Sequence, residues 1–245
     1  MRLAGKTAIV TGGGSGFGAG IARKFAAEGA HVFVLDINSD AASIIADEVG
    51  GTAVTCDVSN AASVNALAET VLSNAPLDIL VNNAGVTHLP SAMEDVTEAD
   101  FDRVFNVNMK SVFLLARAFV PHFKERKTGV ILNVASTAGV SPRPRLNWYN
   151  ASKGWMITAT KTMAVELAPD GIRVNAINPV AGDTPLLKTF MGEDTPEMRA
   201  KFLSTIPIGR FSTPEDMGNA ACFLCSDEAS MITGVAMEVD GGRCI

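Results

Sequence analysis

The sequence is poor in the residues from which metal sites and covalent cross-links are built. Its 245 residues include four cysteines and three scattered histidines, so the sequence predicts no metal site. Cys222 and Cys225 form a lone C-x-x-C in the helical stretch AACFLCSDE. A redox pair or half a metal site is one interpretation. Two small apolar residues on one helix face are the simpler one, because no second pair accompanies them.

The sequence also lacks basic clusters and long apolar runs. It has a net charge of −6 and 19% charged residues, which argues against a nucleic-acid partner. No apolar run reaches the length of a membrane span, and the start, MRLAGKTAIVTGGG, reaches glycines too early for a secretory signal. We therefore expect a cytoplasmic protein that acts on a small molecule, with neither a nucleic acid nor a membrane as its partner.

Short β-branched runs alternate with longer segments whose apolar residues recur at helical spacing. This alternation predicts βαβ units, and hence one Rossmann-type, doubly wound α/β domain over residues 1–245. Its parallel sheet should have about seven strands, flanked by helices on both faces. The predicted strands are Thr7–Thr11, His31–Leu35, Thr52–Thr55, Ile79–Asn82, Val130–Val134, Arg173–Ile177 and Ala236–Val239.

The least regular stretch is residues 182–207, which contains Pro185, Pro196 and Pro207. An insertion of this kind in a compact domain is often a lid over a substrate site. A simple excursion over the surface explains the pattern equally well, and the sequence leaves both interpretations open.

A glycine-rich loop, T-G-G-G-S-G-F-G at residues 11–18, follows the first predicted strand and opens a helix. Glycines let a backbone approach a pyrophosphate closely, and the free N–H groups of the next helix favour an anion. The alternative is a tight turn that binds nothing. The context favours a dinucleotide, with the loop residues Gly12, Ser15, Gly16, Phe17 and Gly18 as cofactor contacts.

Asp36 ends the second predicted strand, 18 residues after Gly18, and neither Ile37 nor Asn38 beside it is basic. A carboxylate there can accept hydrogen bonds from both ribose hydroxyls of NAD and would repel the 2′-phosphate of NADP. The sequence therefore predicts NAD as the preferred cofactor. The competing interpretation is an aspartate that caps the helix near Asp40.

The single tyrosine, Tyr149, stands four residues before Lys153, and Ser136 precedes the two by 13 and 17 residues. Positions four apart share a helix face, and a lysine ammonium beside a phenol favours the phenolate. The pair can then exchange a proton with an alcohol or ketone, while Ser136 holds the same oxygen. Taken singly, each residue also has an ordinary explanation. Tyr149 could be a half-buried helix residue, Lys153 a solvated charge on a helix, and Ser136 a turn residue at the end of a strand.

These motifs, together with C-D-V at 56–58, N-N-A-G at 82–85 and N-V-N at 106–108, resemble the short-chain dehydrogenases/reductases over essentially the whole chain. The resemblance implies that Asp57 and Val58 contact adenine, and that Asn83, Ala84 and Gly85 support the sheet and line the cofactor. It further implies that the backbone of Asn108 holds a water in a proton relay with Lys153, which would also hold the nicotinamide ribose. Read without the family, Asn108 is a polar residue that fits poorly inside a helix.

One motif departs from the family pattern. The family has Pro-Gly after the sixth strand, whereas this chain reads NPVAGDT, with Pro179 kept and Val180 in place of the glycine. Gly182 is the candidate to supply the missing backbone freedom, and Thr184 stands where the resemblance implies a contact with the nicotinamide or the phosphates.

The substrate is less well indicated. Arg143 and Arg145 stand six and four residues before Tyr149, where an arginine can clamp a carboxylate, sulfonate or phosphate. Both also fit a solvated or subunit-contact role. Trp148 could line an apolar pocket wall, and His88 is either a substrate hydrogen-bond partner or an ordinary loop histidine.

The leading hypothesis is an NAD(H)-dependent oxidoreductase that interconverts a secondary alcohol and a ketone. A 3-oxoacyl thioester reductase is an alternative, although the resemblance implies that such enzymes usually prefer NADPH. A non-catalytic dinucleotide-binding protein should have lost part of the Asn-Ser-Tyr-Lys set, and an epimerase of the related extended group would need a sizeable C-terminal domain. By family analogy we expect a homotetramer, with contacts through MITGVAMEVDGG and a helix over Phe101–Lys124.

Overall fold

The computed structural model describes all 245 residues around a seven-stranded sheet. All neighbouring strands are parallel, in the order β3-β2-β1-β4-β5-β6-β7. The predicted α/β class and its seven strands are confirmed. The strands are β1 (Thr7–Thr11), β2 (His31–Asp36), β3 (Thr52–Thr55), β4 (Ile79–Asn82), β5 (Gly129–Val134), β6 (Ile172–Pro179) and β7 (Ala236–Val239).

Strand β6 runs further than its apolar pattern indicates, to Pro179 rather than Ile177. Its last residues, Asn178 and Pro179, pair with Glu238 and Val239 of β7. A polar residue and a proline give no strand signal of their own, so this extension depends on a partner strand that is distant in the sequence. Strands β2 and β5 each extend by one residue beyond the prediction, to Asp36 and from Gly129.

Helices cover both faces of the sheet. Because side chains alternate along a strand, Ala8 and Val10 pack with α1, α2 and α9, whereas Ile9 packs with α3, α5 and α6. Cys222 and Cys225 are free thiols buried in the first of these clusters. The helices are α1 (Gly16–Ala27), α2 (Ser39–Val49), α3 (Ala61–Asn74), α4 (Glu98–Phe105), α5 (Ser111–Arg126), α6 (Asn147–Leu167), α7 (Leu187–Met191), α8 (Pro196–Leu203) and α9 (Pro214–Cys225).

The helix predicted over Phe101–Lys124 is present, and it contains one wider, π-helical turn. Helices α4 and α5 follow each other without a break through a π-helical turn at Asn106–Lys110. A π turn inserts one residue into the helical ladder and is frequent at functional sites. Asn108 lies in this turn, which explains how an asparagine is accommodated inside a long helix. No helix combines the length and the apolar character that crossing a bilayer requires.

Helices α1 and α9 touch backbone to backbone. A Cβ added at Gly20 would lie 2.2 Å from the carbonyl oxygen of Pro214, and one at Gly218 would lie 2.7 Å from that of Gly20. Only hydrogen fits at either position. This contact fixes α1 against the core and thereby fixes the glycine loop that precedes it.

Candidate active site

A cavity of about 690 Å³ lies at the carboxyl ends of the central strands, where the strand order reverses between β1 and β4. Such a switch point is where doubly wound sheets bind ligands, and the volume is that of a small-molecule site. Most of the predicted site residues line it. They are Gly12, Ser15, Gly16, Phe17, Asp36, Asp57, Val58, Asn83, Ala84, Gly85, Ser136, Arg143, Tyr149, Lys153, Pro179, Gly182 and Thr184.

The glycine loop has the backbone shape that a phosphate cradle needs. Gly12 and Gly16 adopt left-handed conformations, with φ of 61° and 52°. Gly18 does not line the cavity; a Cβ there would lie 2.1 Å from the Gly12 carbonyl oxygen, so it allows α1 to pack under the loop. Ser15 is the N-cap of α1 but its side chain makes no capping hydrogen bond. The first N–H groups of α1 are therefore left without a side-chain acceptor.

Thr11 and Asn83 hold the loop against β4. The Thr11 hydroxyl accepts from the backbone N–H groups of Asn83 and Ala84 at 2.9 and 3.0 Å. In return, the Asn83 amide donates to the carbonyls of Thr11 and Gly12 at 2.8 and 3.1 Å. Asn83 thus joins the loop to the sheet, and this fixes the loop before any ligand binds.

Asp36 lies at the rim of the cavity and does not cap α2. Its carboxylate accepts from the Gly14 and Asn38 N–H groups at 3.0 Å each. The cap of α2 is Asn38, whose side chain accepts from the N–H groups of Asp40 and Ala41. The carboxylate therefore stays beside the glycine loop, where the ribose of a dinucleotide would lie. These features fit a nicotinamide dinucleotide in this cavity.

Tyr149 and Lys153 lie one turn apart on α6, and both are almost fully buried, with 5% and 4% exposure. The Lys153 ammonium donates to the Val134 carbonyl at 2.8 Å. Burial lowers the pKa of Lys153 to about 8. Burial also raises the pKa of Tyr149 to about 12, with its interaction with Ser136 opposing the rise. The expectation that Lys153 brings the pKa of the phenol below its ordinary value is therefore not met, and the phenol is protonated at neutral pH.

Ser136 follows β5 and lines the cavity beside Tyr149. Its hydroxyl oxygen accepts from the Ala138 N–H at 3.0 Å. The hydroxyl also interacts with the Tyr149 side chain, which brings the two hydroxyl groups together at one point of the cavity. Ser136 is thus placed to hold a carbonyl or alkoxide oxygen.

Asn108 does not line the cavity; it is fully buried behind it. Its amide accepts from the Val86 N–H at 2.8 Å and donates to the Val86 carbonyl at 2.9 Å and the Ser152 hydroxyl at 3.0 Å. Ser152 in turn donates to the Tyr149 carbonyl at 2.7 Å. The side chain therefore links the segment after β4 to α6. Any role in a proton relay falls to its backbone, as the family pattern implies.

Gly182 serves a different purpose from the one expected. Its φ is not left-handed, so backbone freedom does not explain the glycine. A Cβ at this position would lie 2.2 Å from the Phe17 ring, so the glycine makes room for that ring. Thr184 packs over the glycine loop, 3.3 Å from where a Gly16 side chain would start. The two segments together close one wall of the cavity.

The structure places the four candidate substrate residues Arg143, Arg145, Trp148 and His88 in different surroundings. Arg143 lines the cavity, whereas neither Arg145 nor Trp148 does. Arg145 is exposed, with φ of 69°, and Trp148 packs edge-on against Phe101 of α4 at 5.5 Å between ring centroids. His88 is buried, with Nδ1 2.8 Å from the Leu89 carbonyl oxygen.

Among the lining residues that sequence reasoning did not single out are Phe202 of α8 and Asn150 of α6. Phe202 belongs to no motif, whereas Asn150 lies inside the Y-N-A-S-K run at 149–153. Asn150 directly follows Tyr149, and that adjacency was the one available signal; Phe202 comes from a distant segment with no signal of its own.

Comparisons with known proteins agree with this geometry. Residues 12–243 match the family model described as enoyl-(acyl carrier protein) reductase. The 4-formylbenzenesulfonate dehydrogenase of Comamonas testosteroni is 50% identical over 252 residues, covering 100% of both chains. The chain belongs to the short-chain dehydrogenase/reductase family. It is accordingly an oxidoreductase acting on CH–OH groups, as its dehydrogenase and reductase relatives are named.

Two solved structures extend the comparison. A 3-ketoacyl-(acyl-carrier-protein) reductase from Brucella melitensis, complexed with NADH, is 51% identical with a TM-score of 0.94, covering 99% of this chain and 100% of that one. A 7α-hydroxysteroid dehydrogenase, complexed with NADH and a 7-oxo bile acid, is 40% identical with a TM-score of 0.92, covering 98% and 95%. These family members support a nicotinamide dinucleotide as the cofactor.

Proposed function

We propose that this short-chain dehydrogenase/reductase interconverts a secondary alcohol and a ketone with NAD(H). One observation carries the proposal: Tyr149, Lys153 and Ser136 line the same cavity as the glycine loop and Asp36. A proton donor, an oxygen-holding hydroxyl and a dinucleotide cradle in one site are the parts that carbonyl reduction needs.

The proposed mechanism assigns one role to each side chain. A nicotinamide, when bound, supplies or accepts the hydride. Tyr149 donates its phenolic proton to the carbonyl oxygen during reduction and takes it back during oxidation, while Ser136 holds that oxygen. Lys153 orients the ribose and provides positive charge near the phenol, and Asn108 fixes α6 relative to β4.

Asp36 supports NAD rather than NADP. Its carboxylate already lies beside the glycine loop, and the other acidic residue of the lining, Asp57, is also at this end of the cavity. Two carboxylates repel an added 2′-phosphate. The NADH named with the two structural relatives is in accord with this preference. Binding titrations with NADH and NADPH test it; comparable affinities would contradict it.

Turnover tests the reaction itself. We expect the purified protein to oxidise NADH in the presence of one or more members of a panel of keto acids, acyl thioesters, sugars, cyclic ketones and aromatic aldehydes. NADH binding without turnover of any member would instead favour a non-catalytic dinucleotide-binding protein.

A 3-oxoacyl thioester reductase is the second candidate function, because the Brucella relative carries that name. Strong preference for acyl thioesters, together with preference for NADPH, would select it. Preference for a free ketone with NADH selects the proposed function. Net consumption of NADH with either excludes a redox-neutral epimerase.

We further propose that the protein is a cytoplasmic homotetramer and that residues 182–207 act as a lid. Large apolar side chains exposed on α4 and α5 (Phe105 at 41% and Phe113 at 52%) support a subunit contact, which light scattering tests.

Four free cysteines suit a reducing compartment, which cell fractionation tests. Leu186, Phe190 and Phe202 of the 182–207 segment line the cavity, so limited proteolysis with and without NADH tests closure.

A further inference from the structure

Arg143 places an unpaired positive charge in the wall of the cavity. Its guanidinium lies 4.3 Å from the centre of the Phe202 ring and donates to the Thr205 hydroxyl at 2.9 Å. The half-buried side chain has no carboxylate partner. The Phe202 ring and the Thr205 hydroxyl hold the guanidinium group in place. Most of the N–H donors of this group remain without an acceptor.

Of the five arginines that form no salt bridge, only Arg143 lines the cavity; the others are Arg117, Arg145, Arg173 and Arg243. Six arginines form salt bridges, and partly buried Arg173 donates to three backbone carbonyls instead. The carboxylates that line the cavity, Asp36 and Asp57, are at the ends of β2 and β3, on the other side of β1 and β4 from the segment after β5 that carries Arg143. No acidic side chain of the lining is therefore available to neutralise Arg143.

A second cation, Arg243, acts on Arg143 through its charge. Arg243, near the C-terminus, donates to the Ser141 hydroxyl at 3.1 Å, and its buried Nε has no hydrogen-bond partner. Burial and, secondarily, the charge of Arg243 lower the pKa of Arg143. Arg243 therefore does not neutralise Arg143, whose guanidinium keeps free N–H donors for an anion.

Several apolar side chains line the same cavity as Arg143 and Tyr149. The Phe190 ring packs edge-on against Tyr149 with 5.0 Å between centroids, and Leu146, Leu186 and Phe202 also line the cavity. A ligand that reaches from Tyr149 to Arg143 would thus place a hydrocarbon or aromatic body against these side chains.

We propose that the substrate carries an anionic group, a carboxylate or a sulfonate, which Arg143 binds while the carbonyl or hydroxyl group lies at Tyr149. This names the substrate class of the site described above and rests on the proposed function. Arg143 is then a specificity residue, and the apolar wall holds the part of the substrate between its two polar ends.

Matched substrates and matched variants test the proposal. The substrates are keto acids and acetylarene sulfonates, each paired with its neutral methyl ester or methyl sulfone. The variants are Arg143→Gln and Arg145→Gln, which remove a cavity-lining and an exposed arginine only two residues apart. We expect wild type to prefer the anionic member of each pair. Arg143→Gln should lower kcat/KM for that member on the order of 10- to 100-fold, the usual value of a charge-assisted contact, and should lower kcat/KM for the neutral member much less.

Arg145→Gln should leave kcat/KM unchanged for both the anionic and the neutral member. Turnover in which wild type shows no preference for the anion, or in which Arg143→Gln lowers both members equally, would overturn the inference while leaving the proposed function standing. NADH affinity equal to that of wild type shows that Arg143→Gln is folded.

Absence of turnover with every member of the panel counts against the proposed function. In that case, direct binding shows whether the anion site at Arg143 exists. Benzenesulfonate and benzoate are titrated calorimetrically into the protein with NADH present. Binding that weakens at least tenfold in Arg143→Gln and persists in Arg145→Gln supports the site. No binding to wild type, or equal binding to both variants, overturns it.

Discussion

Replacing Lys153 by methionine should change how stability depends on pH. Burial lowers the pKa of this lysine from 10.5 to about 8. Each pKa unit corresponds to about 1.4 kcal/mol, so the buried ammonium destabilises the fold by about 3 kcal/mol at neutral pH. Between pH 8 and 10.5 the unfolded chain keeps a proton on this lysine that the folded chain has released. Stability contributed by Lys153 therefore rises with pH over that window.

The assay is denaturant unfolding of wild type and Lys153→Met at several pH values across the window. Loss of the hydrogen bond to the Val134 carbonyl shifts the absolute stability of the variant, so the informative quantity is the difference between the two proteins. We expect any stability advantage of the variant to fall by about 3 kcal/mol as the pH rises. Lys161→Met, an exposed lysine on the same helix, is the control and should show no such trend. A difference between wild type and Lys153→Met that does not vary with pH would refute the reasoning.

Three further predictions follow from other parts of the structure. Asp36→Ala should narrow the gap between NADH and NADPH affinity, chiefly by improving NADPH binding, because it removes the carboxylate beside the glycine loop; unchanged affinity for both in titrations would contradict this. Gly20→Ala should destabilise the fold, since a Cβ would lie 2.2 Å from the Pro214 carbonyl oxygen. Gly154→Ala should stabilise α6 by up to about 1 kcal/mol, because the nearest atom to a Cβ there is 3.8 Å away. Thermal unfolding of the two variants distinguishes them, and equal changes would contradict the packing argument. Alcohol oxidation should quicken with rising pH and ketone reduction should not, because the phenol of Tyr149 has a pKa of about 12 and its basic form is scarce at neutral pH. Initial rates in both directions test this, and an oxidation rate that levels off near neutral pH would contradict it.

Much of the fold was predictable because buried parallel strands are short apolar runs. Strand ends were harder, since Asn178 and Pro179 belong to β6 only through pairing with β7. The π turn at Asn106–Lys110 was also beyond sequence patterns: the apolar spacing of a helix is too coarse to show one inserted residue.

The site divides in the same way. The glycine loop and the Tyr149–Lys153 pair could be predicted because local spacing sets their geometry. The raised pKa of Tyr149 could not, because it comes from burial by distant segments rather than from its neighbour on α6. Arg143 and Arg145 have nearly the same sequence context, yet Phe202 and Thr205, both far along the chain, contact the first alone.

The most direct test of the central claim compares wild type with Tyr149→Phe in two assays, NADH binding and carbonyl turnover. Phenylalanine keeps the ring against Phe190 and removes only the hydroxyl, so the cavity should keep its shape. We predict that NADH affinity stays within a few-fold of wild type while turnover falls by about 100-fold or more, the usual contribution of a general acid. Turnover within tenfold of wild type in the variant would contradict the assignment of Tyr149 as the proton donor, and with it the proposed mechanism.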